Sequence, residues 1–114
     1  MEKTARLRRN SEFKTVYSSG KAYANSILVM YLLARSDEFN RVGFSVSKKV
    51  GNSVVRNKIR RRMRESYRLN SGLLRGGFAI VFIARTRAKD AGYSEIEAAM
   101  ISLFRRANIF SGER

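Results

Sequence analysis

Residues 42–69 read Val42-Gly-Phe-Ser-Val-Ser-Lys-Lys-Val-Gly-Asn-Ser-Val-Val-Arg-Asn-Lys-Ile-Arg-Arg-Arg-Met-Arg-Glu-Ser-Tyr-Arg-Leu69, and this stretch decides the fold. From Arg41 to Lys48, Val42, Phe44 and Val46 alternate with Gly43, Ser45 and Ser47, the period of a strand with one buried face. Gly51, Asn52 and Ser53 supply a loop and a cap, because short polar side chains accept the free N–H groups of a helix's first turn. From Val54 to Leu69 the period becomes helical, with Val55, Ile59, Met63, Ser66 and Tyr67 on one arc suited to packing on a sheet. The change of period across a short loop predicts strand, turn and helix.

On the N-terminal side, a basic opening leads to Ser11, a cap for a helix over Glu12–Ser19 with Phe13, Val16 and Tyr17 at helical spacing and Gly20 as its stop. Ala22–Ala34 is apolar and partly β-branched or aromatic, a strand with a break expected near Asn25, and Ser36–Asn40 supplies a turn. On the C-terminal side, Asn70–Gly77 reads as a loop, and Phe78–Ala84 is a continuous apolar run, as in a strand buried on both faces. Ser94 and Glu97 have capping-box spacing, and Ile96, Met100, Leu103, Phe104 and Ala107 recur as one face of a last helix. The two strands flanking the long helix form a βαβ-like unit, so the expected class is α+β. With 114 residues, no Pro and no repeats, a single domain spanning 1–114 is expected.

Composition narrows the function. Lys and Arg number 24 against 9 acidic residues, a formal charge of +15, while 44% apolar content argues for a folded chain. Such a field repels itself unless a polyanion neutralises it, and nucleic acid, whose counterions are released by Arg and Lys, leads over an anionic membrane. No apolar window approaches a membrane span and the N-terminus lacks a signal-peptide run, so the cytoplasm is the expected compartment. Without Cys or His, disulfides, thiolate nucleophiles, imidazole bases and the common zinc sites are excluded. The acids are Glu2, Glu12, Asp37, Glu38, Glu65, Asp90, Glu95, Glu97 and Glu113; only Asp37 and Glu38 are adjacent, and no carboxylate cluster for paired metals is visible. No residue is expected to be catalytic and none to bind a metal.

The binding residues lie on the long helix. Asn57, Arg60, Arg61, Arg64 and Arg68 share an arc away from the core, with Arg56 at its boundary and Lys58 and Arg62 on the far flank. A solvated helix face normally mixes signs, whereas this one has a single Glu65 among seven cations from Arg56 to Arg68. Like charges left unpaired cost stability unless something binds them. Lys48 and Lys49 precede the helix N-terminus, where free N–H groups and the helix dipole favour an anion, a phosphate or a phosphate-bound metal. These features fit an RNA-binding module, a ribosomal protein included; a membrane-surface or DNA-architectural protein is the weaker alternative.

The stretch from Val42 to Glu65 closely resembles the signature of the bacterial ribonuclease P protein family, with Arg56, Asn57, Arg60 and Arg61 as its Arg-Asn-x-x-Arg-Arg core. The likeness continues in Arg6-Leu7 followed by Glu12-Phe13, in the strand around Ile80, and in Leu103-Phe104-Arg105-Arg106. The resemblance implies a two-layer sandwich of about four mainly antiparallel strands with three helices, αβββαβα, ribosomal-protein-S5-domain-2-like, with a left-handed βαβ crossover that general rules would not predict. It further implies that Phe13, Tyr17 and Tyr31 receive the single-stranded 5′ leader of precursor tRNA, with Lys48 and Lys49 between leader and RNA. Arg56, Asn57, Arg60, Arg61, Arg64 and Arg68 would bind the catalytic RNA subunit, which holds the Mg²⁺ that the reaction needs. Position 17 is Tyr where many relatives carry Phe, which keeps a stacking ring. Stacking aromatics beside backbone-following cations are what single-stranded RNA binding requires, although the same rings could be core. No obligate protein partner and no membrane are implied, and whether two holoenzymes pair stays open.

Overall fold

The computed structural model describes residues 4–111. The elements run β1 (Thr4–Arg6), α1 (Asn10–Ser19), β2 (Lys21–Ala24), β3 (Leu28–Ala34), β4 (Asn40–Ser45), α2 (Ser53–Asn70), β5 (Phe78–Ala84) and α3 (Tyr93–Arg106). Short 3₁₀ turns at Ser71–Leu73 and Thr86–Asp90 connect α2 to β5 and β5 to α3. The α+β class and the three helices match expectation; the sheet gains a fifth strand, β1, in the order β1-β4-β5-β3-β2. Pairing is mixed, parallel for β1–β4 and β4–β5 and antiparallel for β3–β5 and β2–β3. The parallel β4–β5 pair requires the crossover that α2 supplies.

Apolar alternation builds a core on each face of the sheet. Leu28, Met30, Leu32, Val42, Ile80 and Phe82 point to one side and pack against Ile59, Met63 and Tyr67 of α2 and Ile96, Met100, Leu103 and Phe104 of α3. Ala79 and Val81 point to the other, where Leu7 and Val16 complete a smaller cluster beneath α1. β5 is thus buried on both faces, which is why it reads as an unbroken apolar run. A helix of ten residues is only about 15 Å long, so α1 covers part of its face and leaves Tyr31, Leu33 and Ile83 partly buried.

Several boundaries differ from expectation. α1 begins at Asn10, ahead of Ser11, because the Glu12 carboxylate accepts the backbone N–H groups of Arg8 and Arg9 at 2.9 and 3.1 Å. In α3 the capping carboxylate is Glu95, which accepts the Gly92 N–H at 3.0 Å, while Glu97 accepts a hydrogen bond from the buried Asn70 amide at 2.9 Å. β4 ends at Ser45, so Lys48 and Lys49 stand in a turn beyond the strand, closed by the Val50 N–H donating to the Ser47 carbonyl at 3.1 Å. The break near Asn25 is a chain reversal: its Oδ1 accepts the N–H groups of Ile27 and Leu28 at 3.1 and 2.9 Å, which separates β2 from β3.

Candidate RNA-binding surface

α1 brings its apolar stripe onto the sheet at i, i+3 and i+4: Val16 is buried, Phe13 half-buried and Tyr17 36% exposed. Phe13 lies directly over Gly43 of β4, where a Cβ would come within 2.5 Å of its Cζ, so glycine is required for the ring to approach the strand. Tyr17 stands 6.4 Å from Phe13, centroid to centroid, and 5.1 Å edge-on from Tyr31 of β3. The three aromatic residues singled out in the sequence therefore form one cluster, partly packed and partly open. Burial raises the Tyr17 hydroxyl pKa, and a hydrogen bond with Ser45 opposes the rise.

α2 divides as its wheel predicts. Ile59, Met63, Ser66 and Tyr67 are buried, whereas Asn57, Arg61, Arg64 and Arg68 are exposed and Arg60 is half-exposed. The Asn52 side chain accepts the Val55 N–H at 3.0 Å and caps the helix. Three cations near this face are partly engaged within the protein: Arg56 Nε donates to the Gly51 carbonyl at 3.1 Å, Arg62 to the Ala91 carbonyl at 2.8 Å, and Arg68 forms a bidentate pair with Glu65 at 2.6 and 3.1 Å. Arg60 donates to Asn57 Oδ1 at 2.9 Å, which orients it without neutralising it. Burial, then the nearby Arg6 and Arg60 guanidiniums, push the Arg64 pKa below the ordinary arginine value.

The open edge of the sheet joins these parts. β1 pairs with β4 only from Asn40 to Val42, and the Leu7 N–H donates to the Val42 carbonyl at 2.9 Å where the two chains part. Beyond that point a groove of about 430 Å³ opens between α1 and α2, lined by Phe13, Lys14, Tyr17, Phe44, Ser45 and Arg60. A smaller groove of about 210 Å³ lies between β1 and α2, lined by Arg6, Val42, Phe44, Arg64, Tyr67 and Arg68. Phe44 is common to both. Arg60 thus shares a groove with Phe13 and Tyr17, away from the groove that Arg64 and Arg68 line. Lys48 and Lys49 are exposed in the turn that follows β4.

Sequence reasoning missed Arg6, Lys14, Phe44 and Ser45 as lining residues. Arg6 was legible only as part of the basic opening, and Phe44 looked like plain core because strand alternation cannot show that its edge lies open. Among the described residues no group of three or more acidic side chains is arranged to hold a metal ion. Glu12 and Glu95 serve helix caps, Asp37 binds Arg35 at 2.6 Å, and Glu65 binds Arg68, while Glu2 and Glu113 lie outside the described residues. No helix of the described residues is long and apolar enough to cross a membrane.

The Ribonuclease P family model matches residues 1–108. The ribonuclease P protein component of Alkaliphilus metalliredigens is 46% identical over 111 residues, covering 97% of this chain and all of the relative. That of Clostridium novyi is also 46% identical, over 113 residues, with 97% of this chain covered and all of the relative. Among solved structures, the Staphylococcus aureus RNase P protein superposes with a TM-score of 0.85 at 34% identity, covering 92% of this chain and 96% of that one. The Thermotoga maritima RNase P protein gives 0.82 at 28% identity, covering 89% and 96%.

Proposed function

The chain belongs to the Ribonuclease P protein family, and from that membership we propose that it is the protein subunit of a cytoplasmic ribonucleoprotein that removes the 5′ leader of precursor tRNA. The observation that carries this reading is an aromatic cluster, Phe13, Tyr17 and Tyr31, two of whose rings share a groove with Arg60 of the arginine-rich helix. Bases of a single strand stack on such rings while cations follow its phosphates, without strict sequence demand. Phe13, Tyr17 and Tyr31, with Lys48 and Lys49 in the turn after β4, hold the leader, and Arg60 lines the groove with Phe13 and Tyr17. Arg56, Asn57, Arg61, Arg64 and Arg68 bind the RNA subunit.

The protein grips and orients, and the chemistry belongs to the RNA. Mg²⁺ bound by the RNA subunit would supply the Lewis acid for hydrolysis of the phosphodiester that joins the leader's 3′ oxygen to the mature 5′ phosphate. The protein's cations reduce repulsion between the phosphates of enzyme and substrate, which lowers the Mg²⁺ concentration that cleavage needs. No obligate protein partner is required.

The test is cleavage of a leader-bearing precursor tRNA by a bacterial RNase P RNA at limiting Mg²⁺. Adding one equivalent of this protein should restore cleavage, and the protein alone should cut nothing. Absence of rescue would leave a general RNA-binding protein of the ribosomal kind.

A further inference from the structure

The groove between β1 and α2 is not needed by a leader seated on Phe13 and Tyr17. Its floor is Val42 and Tyr67, both nearly fully buried, with the half-buried Phe44 between them. Phe44 stacks one face on Phe82 at 6.0 Å and meets Tyr67 edge-on at 6.1 Å, so its uncovered surface faces the grooves. The volume, about 210 Å³, is below the roughly 300–1,000 Å³ of clefts for drug-sized molecules and suits a single flat ring. The rim carries Arg6, Arg64 and Arg68, and no acidic side chain lines it. Glu65 is already spent on Arg68. Arg6 and Arg64 therefore meet as like charges beside an apolar, ring-lined floor, an arrangement that a phosphate joined to a base would satisfy at both ends.

Resting on the functional reading above, we propose that this groove receives one unstacked nucleotide of the RNA subunit, its base against Phe44 and Tyr67 and its phosphate between Arg6 and Arg64. Paired bases are hidden within A-form duplex, so the occupant is an unpaired nucleotide of a loop, bulge or junction. The RNA subunit is favoured over the leader by geometry. The linings of the two grooves share only Phe44, Tyr17 and Tyr31 belong to the α1 side of the sheet, and a leader resting on them would have to pass Phe44 and the β4 edge to reach Arg6 and Arg64.

Ser71 caps the end of α2 and lines this groove, not the one beside α1. Ser71→Trp adds a competing ring and removes no charge. Its affinity for the RNA subunit should fall about ten-fold or more, the scale of one lost base stack. The ratio of precursor to mature tRNA affinity in the reconstituted complex should not move, and Ser71→Ala, which leaves the groove open, should bind as wild type. Combined with Arg6→Gln, the losses should be less than additive, because both variants act on one nucleotide. Wild-type affinity in a folded Ser71→Trp protein, additive losses, or a loss confined to precursor tRNA would each overturn the inference, the last by placing the leader here. Should Ser71→Trp melt, the pair Arg6→Gln and Arg64→Gln decides: coupling supports a shared phosphate and additivity rejects it. A wild-type chain that fails to bind the RNA subunit would overturn the functional reading itself, whereas wild-type binding with an indifferent Ser71→Trp overturns this inference alone.

Discussion

Tyr17→Ala isolates leader stacking better than any other single change in the aromatic cluster. Tyr17 is the most exposed of the three rings, at 36%, whereas Phe13 is pinned over Gly43 and Tyr31 is held within β3. Its removal loses one edge-to-face pair, with Tyr31 at 5.1 Å, and the hydrogen bond with Ser45. An aromatic pair contributes about 0.5–1.5 kcal/mol and a hydrogen bond about 1 kcal/mol, so the domain should lose roughly 1.5–2.5 kcal/mol of stability. For a chain of this length that lowers Tm by about 6–20 °C and leaves it folded at 25 °C. The binding loss is separate: one base stack is worth about 1–3 kcal/mol, or about 5- to 150-fold in Kd. The assay is the Kd of reconstituted complex for precursor and for mature tRNA, at saturating protein. The full loss should fall on the precursor and almost none on the mature tRNA. Equal losses on both, or none on either, would refute the placement of the leader on this cluster.

Gly43→Ala should mimic removal of Phe13, since the new Cβ would meet the ring at 2.5 Å; displacing it should cost about 1–3 kcal/mol of stability, read by thermal melting, and weaken precursor binding selectively. Arg64→Ala should shallow the dependence of log K on log salt for the RNA subunit by about one unit, and an unchanged slope would mean that Arg64 touches no phosphate. Glu12→Gln addresses acid stability. Hydrogen bonds from the backbone N–H groups of Arg8 and Arg9 hold the Glu12 carboxyl below its usual 4.5. A depressed folded-state pKa stabilises the fold above the ordinary value and ceases to do so as pH falls through the depressed one. Melting temperature followed below pH 4.5 should therefore fall less steeply in Glu12→Gln than in wild type, and parallel curves would remove Glu12 from the acid response.

Periodicity made the larger elements legible before any coordinates. The alternation of Val42, Phe44 and Val46, the unbroken run Phe78–Ala84 and the helical stripe of Ile59, Met63 and Tyr67 each follow from burial on one or both faces, which leaves a local imprint. The sign imbalance of Arg56–Arg68 was equally local, and so the cationic face of α2 lies where the wheel placed it. Helix starts were less legible, because Glu12 and Glu95 cap from within the first turn, and which of several nearby polar residues serves is decided by where the chain enters. The three-residue strand β1 carries too little pattern to be read alone and exists because β4 offers it an edge.

Sequence by itself determined the class, the long strand and helix elements, the residues of the cationic face and the aromatic residues that stand near it. Tertiary structure alone decided which of them share a groove. That Phe13 rests on Gly43, that Tyr17 meets Tyr31, that Arg60 turns toward the aromatic cluster while Arg64 turns toward Arg6, and that β4 is left uncovered beyond Val42 are consequences of sheet order and register. Those depend on contacts between segments tens of residues apart, whose geometry is set by packing the two faces of one sheet at once, and no local period records it.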